Sequence, residues 1–544
     1  MNAVADVSAE AGVRAAAAHV QMRANLQQYL HNAMLAEKAW ARSDAGTAAI
    51  YASLAAWVAA HSHCGFFSSP RLESLLTEIG RSELRDQPVL ANRPSSFKRV
   101  LHVIGEVSSV GGLANMLRRW IESDPSRTHS VALTQQRNPI AQALIDTVDH
   151  AGGGIHRING EKGGLLGSAR ALRELALAND IVVLHTANSD VIPSIAFARP
   201  ECFPPVFYLN HSDHMFWLGS SIAHVVGSMR QAALDIAEQR RGISRERSML
   251  VPILVSPARR ENSREAAKAK LGLAADSIVI ISVARAQKYR TIDGVSFADV
   301  HVPVLKQHPN AVLFVVGGGN RPDWQAASDE VGGRIRSLAP QNPKPWLEAA
   351  DIYVDSFPFC SATSMMEAAG HGVPCAGRFL WPDAARICGM DHPGLQGPLV
   401  EGRTNASYQV NLSRLISDPA LRADAGARIA ASVAAANEPP GWNSYMEAAF
   451  ARCAELPPVK PAEVFGANAG ETMLLGEPDD RLQQIYGFTS PQDELVRWHL
   501  TWFPTRERLR LWGQIRRGIG FTSKGAAIRS LFPEWMIRRL KDRA

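Results

Sequence analysis

The chain has 544 residues, enough for three or four domains, and its 46% hydrophobic and 20% charged residues are ordinary for a globular protein with large cores. No apolar run approaches the roughly 20 residues of a membrane-spanning helix, and the acidic opening MNAVADVSAEAG is unlike a secretory signal. The net charge of +6 comes from residues 506–544, where eleven Lys or Arg stand against three acids, so the rest of the chain has no basic excess.

Residues 1–95 are predicted to form a helical N-terminal region. Two Ala-rich segments, 13–42 and 47–60, carry apolar residues at the three- and four-residue spacing of a helix. Prolines and serines in QPVLANRPSSFK predict a linker after them. A small helical domain and a pair of helical hairpins both fit this pattern, and no clean 34-residue repeat supports an array.

Strand patterns that alternate with helices begin at Arg99. The first group is RVLHVIGEV, HSVALTQQ, GIHRING, DIVVLHTA, VFYLNHSDH and SMLVPILV. After a break near residues 257–275 the pattern restarts with SIVIISVARAQKY, NAVLFVVGGGN, DIYVDSFPF and VPCAG. Such alternation predicts parallel sheets with helices on both faces. We therefore expect an α/β protein with two Rossmann-like domains, residues 99–256 and 257–455, that face a cleft.

Residues 456–544 are predicted to be a helical, basic C-terminal extension. Its end, residues 506–544, mixes basic side chains with Leu, Trp, Ile and Phe, which is typical of a helix on an anionic lipid surface. Packing of this tail on the body fits the composition equally well. We expect no nucleic-acid partner, because no recognisable binding module accompanies the basic residues.

The segment from Asp351 to Gly377 carries the strongest functional pattern. A strand ends in a loop of small residues, which enters a helix predicted to begin near Ser364. Backbone N–H groups at a helix start, together with the hydroxyls of Thr363 and Ser364, predict a site for a diphosphate. Glu367 has two interpretations: a capping-box partner of Ser364, and a carboxylate that accepts hydrogen bonds from ribose hydroxyls.

This segment resembles the donor-site signature of GT-B glycosyltransferases, in particular the family-four type and the bacterial relatives of O-linked N-acetylglucosamine transferase. The signature DxFPFxxxTSxxEAxxxGxP is matched at Asp355, Phe357, Pro358, Phe359, Thr363, Ser364, Glu367, Ala368, Gly372 and Pro374. The resemblance implies the GT-B fold over residues 99–455 and binding of a nucleotide sugar, with Glu367 on the ribose. Many retaining family-four enzymes have a further glutamate where this chain has Phe359, so the stereochemistry stays open.

Three cations, Arg285, Lys288 and Arg290, follow the first strand of the second predicted domain. Fixed cations lower the barrier when a departing diphosphate gains negative charge. The resemblance implies an Arg/Lys pair at this position, which we assign to Arg285 and Lys288, with Arg290 as the substitute. A solvated basic loop is the alternative interpretation.

Two histidines, His211 and His214, follow a strand of the first predicted domain. A histidine can take the proton of an acceptor hydroxyl near neutral pH, and the resemblance implies a histidine beside the transferred sugar. His211 is the first candidate and His214 the second, with packing alone as the alternative. The H-x-x-H spacing also occurs in metal sites, but no third ligand is apparent and the six cysteines show no zinc spacing, so we expect no metal.

Several weaker signals lie nearby. Gly111 and Gly112 lie between the first strand of the first predicted domain and a helix, and the resemblance implies that their loop approaches the donor phosphates or the acceptor. The glycines of GGGN, 317–320, fit both a nucleotide pocket and a tight turn. Arg230, Arg240 and Arg241 follow the histidine segment, and two interpretations fit them: contact with phosphate or the acceptor, and the favoured one, exposure on helix surfaces.

The resemblance therefore implies a hexosyl- or N-acetylhexosaminyltransferase. By analogy its donor is a UDP-linked sugar, used as a co-substrate without a separate cofactor. The acceptor is a polysaccharide, a lipid-linked sugar or a protein. The scattered cysteines favour the cytoplasm, with peripheral contact to the inner membrane through residues 506–544. Two alternatives are a non-catalytic scaffold on the same fold and a UDP-sugar 2-epimerase, which would need carboxylates around the sugar.

Overall fold

The computed structural model describes residues 2–84, 96–107, 112–185, 188–292, 294–460 and 471–541, with the backbone alone at 2–14 and 541. The chain divides into two compact units. Unit 1 comprises residues 1–229, 233–251 and 446–544, and unit 2 comprises residues 230–232 and 252–445. The bounds of the four domains expected from the sequence stay a prediction.

Unit 1 is built on a seven-stranded sheet with the order β3-β2-β1-β4-β5-β6-β7. Its strands are β1 (Arg99–Ile104), β2 (Thr128–Leu133), β3 (Ile155–Arg157), β4 (Ile181–His185), β5 (Val206–Asn210), β6 (Val225–Ser228) and β7 (Ser248–Leu250). Every pairing is parallel. The central strands are buried on both faces, which explains their nearly continuous apolar sequences. The first predicted Rossmann-like fold is confirmed.

Helices surround this sheet and form a large part of the core of unit 1. They are α1 (Asn2–Trp40), α2 (Ala45–His61), α3 (Pro70–Glu83), α4 (Gly112–Ser123), α5 (Gln142–His150), α6 (Gly164–Leu177), α7 (Ile192–Ala196) and α8 (Gln231–Arg241). α2 is apolar nearly all round and has only three residues that are not buried. A helix of that composition is stable only inside a core, and its residues belong to one apolar cluster with those of β4 and β5.

Unit 2 repeats the plan with six parallel strands in the order β10-β9-β8-β11-β12-β13. The strands are β8 (Ile278–Val283), β9 (Ala311–Val316), β10 (Ile335–Leu338), β11 (Ile352–Val354), β12 (Cys375–Arg378) and β13 (Val400–Gly402). The helices are α9 (Arg264–Lys270), α10 (Phe297–Gln307), α11 (Gln325–Glu330), α12 (Lys344–Ala349), α13 (Ala362–Gly370), α14 (Asn405–Ser417) and α15 (Pro419–Asn437). This strand order is the Rossmann order, so the second predicted fold is also confirmed.

The chain then returns to unit 1 through a series of helices. They are α16 (Gly441–Glu455), α17 (Asp479–Tyr486), α18 (Gln492–His499), α19 (Thr505–Arg517), α20 (Lys524–Arg529) and α21 (Glu534–Lys541). Leu511 and Ile515 of α19 are buried in the apolar cluster of unit 1. Arg508 is also buried and donates to Phe503 O at 2.8 Å. The tail therefore packs on the body, and none of the described helices is long and apolar enough to cross a membrane.

Candidate functional site

The strand order of unit 2 reverses between β8 and β11, which are neighbours in the sheet. The loop after β8 carries Lys288, and the loop after β11 runs from Asp355 to Ser361 and enters α13. In parallel α/β sheets the chains that leave such a pair of strands turn to opposite faces, so a crevice forms beyond the strand ends. The predicted donor-binding residues of unit 2 therefore lie at the edge of the sheet where ligands of this architecture bind.

Lys288 joins these two loops. Its Nζ donates to Cys360 O at 2.8 Å and to Ser361 Oγ at 3.4 Å. The ammonium group therefore lies at the start of α13, beside the residues that the sequence analysis assigned to phosphate binding. An ammonium group and a helix N-terminus both favour an anion.

The start of α13 is two residues earlier than predicted. The helix begins at Ala362, and Ser361 occupies the N-cap position without making a side-chain capping bond in the described structure. Its hydroxyl donates to Val283 O at 3.2 Å instead. Thr363 and Ser364 are consequently the second and third residues of the helix, within the first turn, where backbone N–H groups lack helical partners.

This helix start corrects one interpretation of Glu367. Glu367 is the sixth residue of α13, whereas a capping-box acid is the third, and Ser364 occupies that third position. The capping-box interpretation is therefore wrong, because the helix begins earlier than the sequence pattern indicated. Glu367 is half-buried, and its carbonyl oxygen lies 2.8 Å from Nδ1 of His371. Its contact with a ribose stays a prediction.

Asp355 holds the loop between β11 and α13 in place. Its Oδ1 accepts from Ser356 N–H at 2.8 Å and from Ser361 N–H at 2.9 Å. Burial raises the pKa of Asp355 to about 7, although those N–H groups and Lys288 favour the charged form. The carboxyl group therefore holds a proton at a higher pH than an exposed aspartate does. Asp355 is a position of the sequence motif, and its role in holding this loop is visible only in the fold.

The other two cations of this loop are exposed. Arg285 precedes a short turn at residues 286–289, and Arg290 follows it. At the end of β9, Gly317 has a φ of +90°, and an added Cβ would lie 2.6 Å from Ala284 O. This glycine is required because β9 ends in tight contact with the loop that carries Arg285. Of the two interpretations of GGGN, the tight turn accounts for the positive φ of Gly317.

An aromatic group lies beside the same strand ends. Phe357 is a position of the sequence motif, whereas Trp381 and Arg378 were not singled out from the sequence. The rings of Phe357 and Trp381 lie 5.2 Å apart, and the guanidinium of Arg378 lies 4.1 Å from the centre of the Phe357 ring. Arg378 ends β12, and burial lowers its pKa to about 10. The sequence held one signal of this group, because Arg378 is a lone arginine at the end of an apolar strand.

In unit 1 the two candidate histidines lie in the loop after β5. Nε2 of His211 lies 3.0 Å from Nδ1 of His185, the last residue of β4. Burial lowers the pKa of His211 to about 3, against the opposing charge of Asp213, so its imidazole is neutral at pH 7. Nδ1 of His214 lies 3.3 Å from Asp213 Oδ1, and its ring lies 4.2 Å from that of Tyr486.

Two arginines expected on helix surfaces are buried. Arg241 is 0% exposed and donates to the carbonyl oxygens of Asp213 at 2.9 Å and Met215 at 2.6 Å. It therefore fixes the loop that carries the candidate histidines. Arg230 is 4% exposed and donates to Gly389 O at 2.7 Å. The surface interpretation is wrong for both residues, because loop carbonyl groups inside the protein require donors.

The glycine pair could be placed only in part. Gly111 lies outside the described residues. Gly112 is the exposed first residue of α4, and a Cβ added there would have no described atom within 4 Å. Within the described ranges, no three His, Cys, Asp or Glu residues come together in a way that could hold a metal ion.

Comparison with known proteins gives likeness of fold at low identity. No family profile and no curated protein matches the chain. It is similar to an O-GlcNAc transferase mutant of Thermobaculum terrenum, at 17% identity over 82% of this chain and 84% of that one, with a TM-score of 0.47. It is also similar to Anabaena HepE, solved with UDP and glucose, at 15% identity over 65% of this chain and 99% of that one, with a TM-score of 0.47. A Listeria monocytogenes protein provisionally assigned as a UDP-N-acetylglucosamine 2-epimerase is 14% identical over 67% of this chain and 99% of that one, with a TM-score of 0.42. At these scores the likeness carries no argument about activity or substrate.

Proposed function

We propose that this protein is a glycosyltransferase that moves a sugar from a nucleotide-sugar donor to an acceptor hydroxyl. The observation that carries this proposal is the contact of Lys288 with the loop that enters α13. An ammonium group thus lies beside the start of α13, whose first turn contains Thr363 and Ser364. A diphosphate needs such a combination, both to bind and to accept the negative charge that develops as it leaves.

On this proposal, unit 2 binds the donor. The N–H groups of the first turn of α13 and the two hydroxyls bind the phosphates, while Lys288, aided by Arg285 and Arg290, stabilises their charge. Glu367 accepts hydrogen bonds from the ribose. The analogy drawn from the sequence favours a UDP-linked sugar as the donor. Fixed cations on the loop after β8 would take the part that a divalent metal takes in other transferases.

On the same proposal, unit 1 supplies the base for the acceptor. His211 takes the proton of the acceptor hydroxyl, and His214 is the second candidate. A neutral imidazole is required for that step, and burial keeps His211 neutral at pH 7. A glycan, a lipid-linked sugar and a protein side chain all offer the necessary hydroxyl.

We extend the proposal to peripheral membrane contact through residues 506–544. Leu509, Ile528 and Leu540 of this tail are 50%, 61% and 63% exposed, although Leu511 and Ile515 of the same tail are buried. Exposed apolar side chains among exposed arginines are what an anionic lipid surface binds. Flotation with vesicles that contain anionic lipid tests this point, and Leu540→Glu should weaken the binding.

The experiment that tests the donor site measures binding and turnover of UDP-, GDP- and ADP-sugars with the wild type and Glu367→Ala. Saturable binding of one nucleotide sugar that is greatly weakened in the variant would support the proposal. Glu330→Ala is the matched control, because Glu330 is an exposed carboxylate of unit 2 that pairs with Lys306. Release of free nucleotide indicates transfer, whereas a rearranged nucleotide sugar indicates an epimerase. If none of the nucleotide sugars binds, the transferase proposal is refuted and the non-catalytic scaffold is favoured.

A further inference from the structure

Two adjoining cavities of unit 1 form one groove. Their volumes are about 310 and 340 Å³, and their walls share Ile50, Leu165 and Trp502. The groove is called the tryptophan groove, because four of the chain's 12 tryptophans line it: Trp57, Trp498, Trp502 and Trp535. Small-molecule sites range from about 300 to 1,000 Å³, so the two cavities together have room for a ligand of more than one small unit.

One wall of the tryptophan groove belongs to the carboxyl edge of the sheet of unit 1. Glu106 follows β1, Gln135 follows β2 and Ser189 follows β4. These three strands are neighbours, and β5, whose loop carries His211, lies next to β4. Neighbouring strands are about 4.8 Å apart, so the ends of β1 and β5 are separated by about 10 Å. The groove therefore begins near the proposed base without including it.

The tryptophans themselves come from helices outside the sheet. Trp57 lies in α2, Trp498 lies in α18, Trp502 follows α18, and Trp535 lies in α21. The rings of Trp57 and Trp498 are 5.9 Å apart and tilted by 66°, and Trp498 is 46% exposed. The N-terminal helices and the C-terminal extension thus meet at this groove. Exposed aromatic rings in a concave surface are typical of a binding site.

Polar side chains line the groove beside the indole rings. Oε1 of Glu106 accepts from the backbone N–H groups of Arg137 and Asn138, each at 3.1 Å, and from the side-chain amide of Asn138 at 2.9 Å. These three N–H groups fix the carboxylate in place. Arg137 is exposed and adds a guanidinium to the same wall. The groove therefore offers both an acceptor and a donor of hydrogen bonds.

Two histidines of the groove add further acceptors. Nδ1 of His61 lies 3.0 Å from Trp57 O, and Nδ1 of His499 lies 2.9 Å from Leu495 O. Burial lowers the pKa of both rings, to about 4 for His499, so both are neutral at pH 7. A carbonyl oxygen can only accept, so each Nδ1 carries the proton and each Nε2 carries the lone pair.

A chain of sugar rings is the ligand that this combination suits. One face of a pyranose presents C–H groups, which the negative face of an indole ring attracts. Its hydroxyl groups need both donors and acceptors around them, whereas a lipid chain would leave the carboxylate and the guanidinium without partners. We propose that the tryptophan groove binds a glycan, namely the sugar units of the acceptor that lie beyond the one that reacts. This inference rests on the glycosyl transfer proposed above and selects a glycan among the acceptors considered there.

Direct binding tests the groove without turnover. An array of immobilised oligosaccharides is probed with the full-length protein, and titration calorimetry then measures the Kd of the best-bound oligosaccharide without any nucleotide. We expect saturable binding that weakens at least fivefold in Trp498→Ala. The matched control is Trp40→Ala, which should stay within twofold, because Trp40 is a partly exposed tryptophan of unit 1 that donates to Glu78 at 3.2 Å outside the groove. Binding of no oligosaccharide, or equal binding by wild type and Trp498→Ala, would overturn the inference.

The length of the acceptor supplies a second readout. For acceptors of three or more sugar units, KM should rise at least fivefold in Trp498→Ala, while kcat and KM for the nucleotide sugar stay within twofold. For an acceptor of a single sugar unit, KM should not change, because such an acceptor does not reach the groove. Equal rises for short and long acceptors would overturn the assignment, since Trp498 would then affect the reacting sugar itself.

The outcomes separate this inference from the proposed function. If the wild type transfers sugar and Trp498→Ala keeps a wild-type KM for long acceptors, the inference is refuted and the transferase stands. If a polypeptide is the acceptor and its KM rises in Trp498→Ala, the groove binds protein and the glycan assignment is overturned. If the wild type binds a glycan in the groove but transfers no sugar, the proposed function and the acceptor role are both refuted. If Trp498→Ala does not fold, Arg137→Gln, at the exposed arginine of the groove, takes its place in each experiment.

Discussion

Asp355→Asn should remove a pH dependence from the stability of unit 2. The folded pKa of Asp355 is about 7, against about 3.9 for an unfolded aspartate. The folded state therefore holds a proton that the unfolded state has lost, and this stability, complete below about pH 4, is lost as the pH rises towards 7. At about 1.36 kcal/mol per pKa unit, the full loss is about 4 kcal/mol, of which about 3 kcal/mol falls between pH 5 and 8.

The assay compares unfolding midpoints by calorimetry at pH 5, 6, 7 and 8. An asparagine keeps the Oδ1 that accepts from Ser356 and Ser361, so the variant should fold. With about 2–4 °C per kcal/mol for 150–250 residues, the wild type should lose about 6–12 °C relative to the variant across this range. Asp276→Asn, at an exposed aspartate of unit 2, should show no such trend. A wild type that gains stability relative to Asp355→Asn as the pH rises would refute the reasoning, because Asp355 would then be stabilised as an anion beside Lys288.

Three further predictions concern single side chains. Lys288→Gln should weaken UDP binding at least tenfold in titration calorimetry, because a charge-assisted hydrogen bond contributes about 1.5–3 kcal/mol. The control is Lys306→Gln, at an exposed lysine of α10. Equal weakening in both variants would contradict the assignment of Lys288 to the phosphates. Arg241→Met should lower the unfolding midpoint by at least about 5 °C, since it leaves several buried carbonyl groups unpaired at a cost of about 1–3 kcal/mol each. An unchanged midpoint would mean that water replaces the guanidinium. Burial lowers the pKa of His301 to about 3, so between pH 6.5 and 3 the unfolded chain binds a proton here that the folded protein does not. Between pH 7 and 5 the free energy of unfolding of the wild type should therefore fall by about 2 kcal/mol relative to that of His301→Gln, as measured by denaturant titration. Parallel pH profiles would contradict it.

The sequence predicted the strands that have long apolar runs, such as β1, β4, β8 and β9. It predicts no strand at β6, β10 or β13, which have only three or four residues each. So few residues carry little periodicity, and it is pairing with neighbouring strands that makes them extended. The two Rossmann-like folds could therefore be predicted, but not the complete sheets.

The candidate donor site shows the same limit. The motif located Thr363, Ser364 and Glu367 along the chain, and a strand end located Lys288. The bond from Lys288 Nζ to Cys360 O joins residues 72 positions apart, and it exists because β8 and β11 are neighbours. Strand order is set by the whole fold, so no local pattern indicates this contact.

The contacts of the buried histidines could not be predicted from the sequence either, although one signal was available. His102 and His185 stand in the apolar runs RVLHVI and IVVLH, and a buried polar side chain must find a hydrogen-bond partner. Which partners they find depends on the strand order β2-β1-β4-β5. The pattern indicates that such histidines need an explanation, but only the fold supplies it.

Unit 1 is interrupted in the chain by unit 2, and this has a consequence for synthesis on the ribosome. The ring of Tyr51 in α2 packs 5.2 Å from that of Phe503, and its hydroxyl donates to Glu507, which lies 456 positions later. At about 5–20 residues per second, roughly 20–90 s separate the appearance of these partners. All of residues 252–445 emerge in that interval. Unit 2 can thus finish folding while α2 still lacks its last neighbours, so apolar surface of the nascent N-terminal helices stays uncovered for that time.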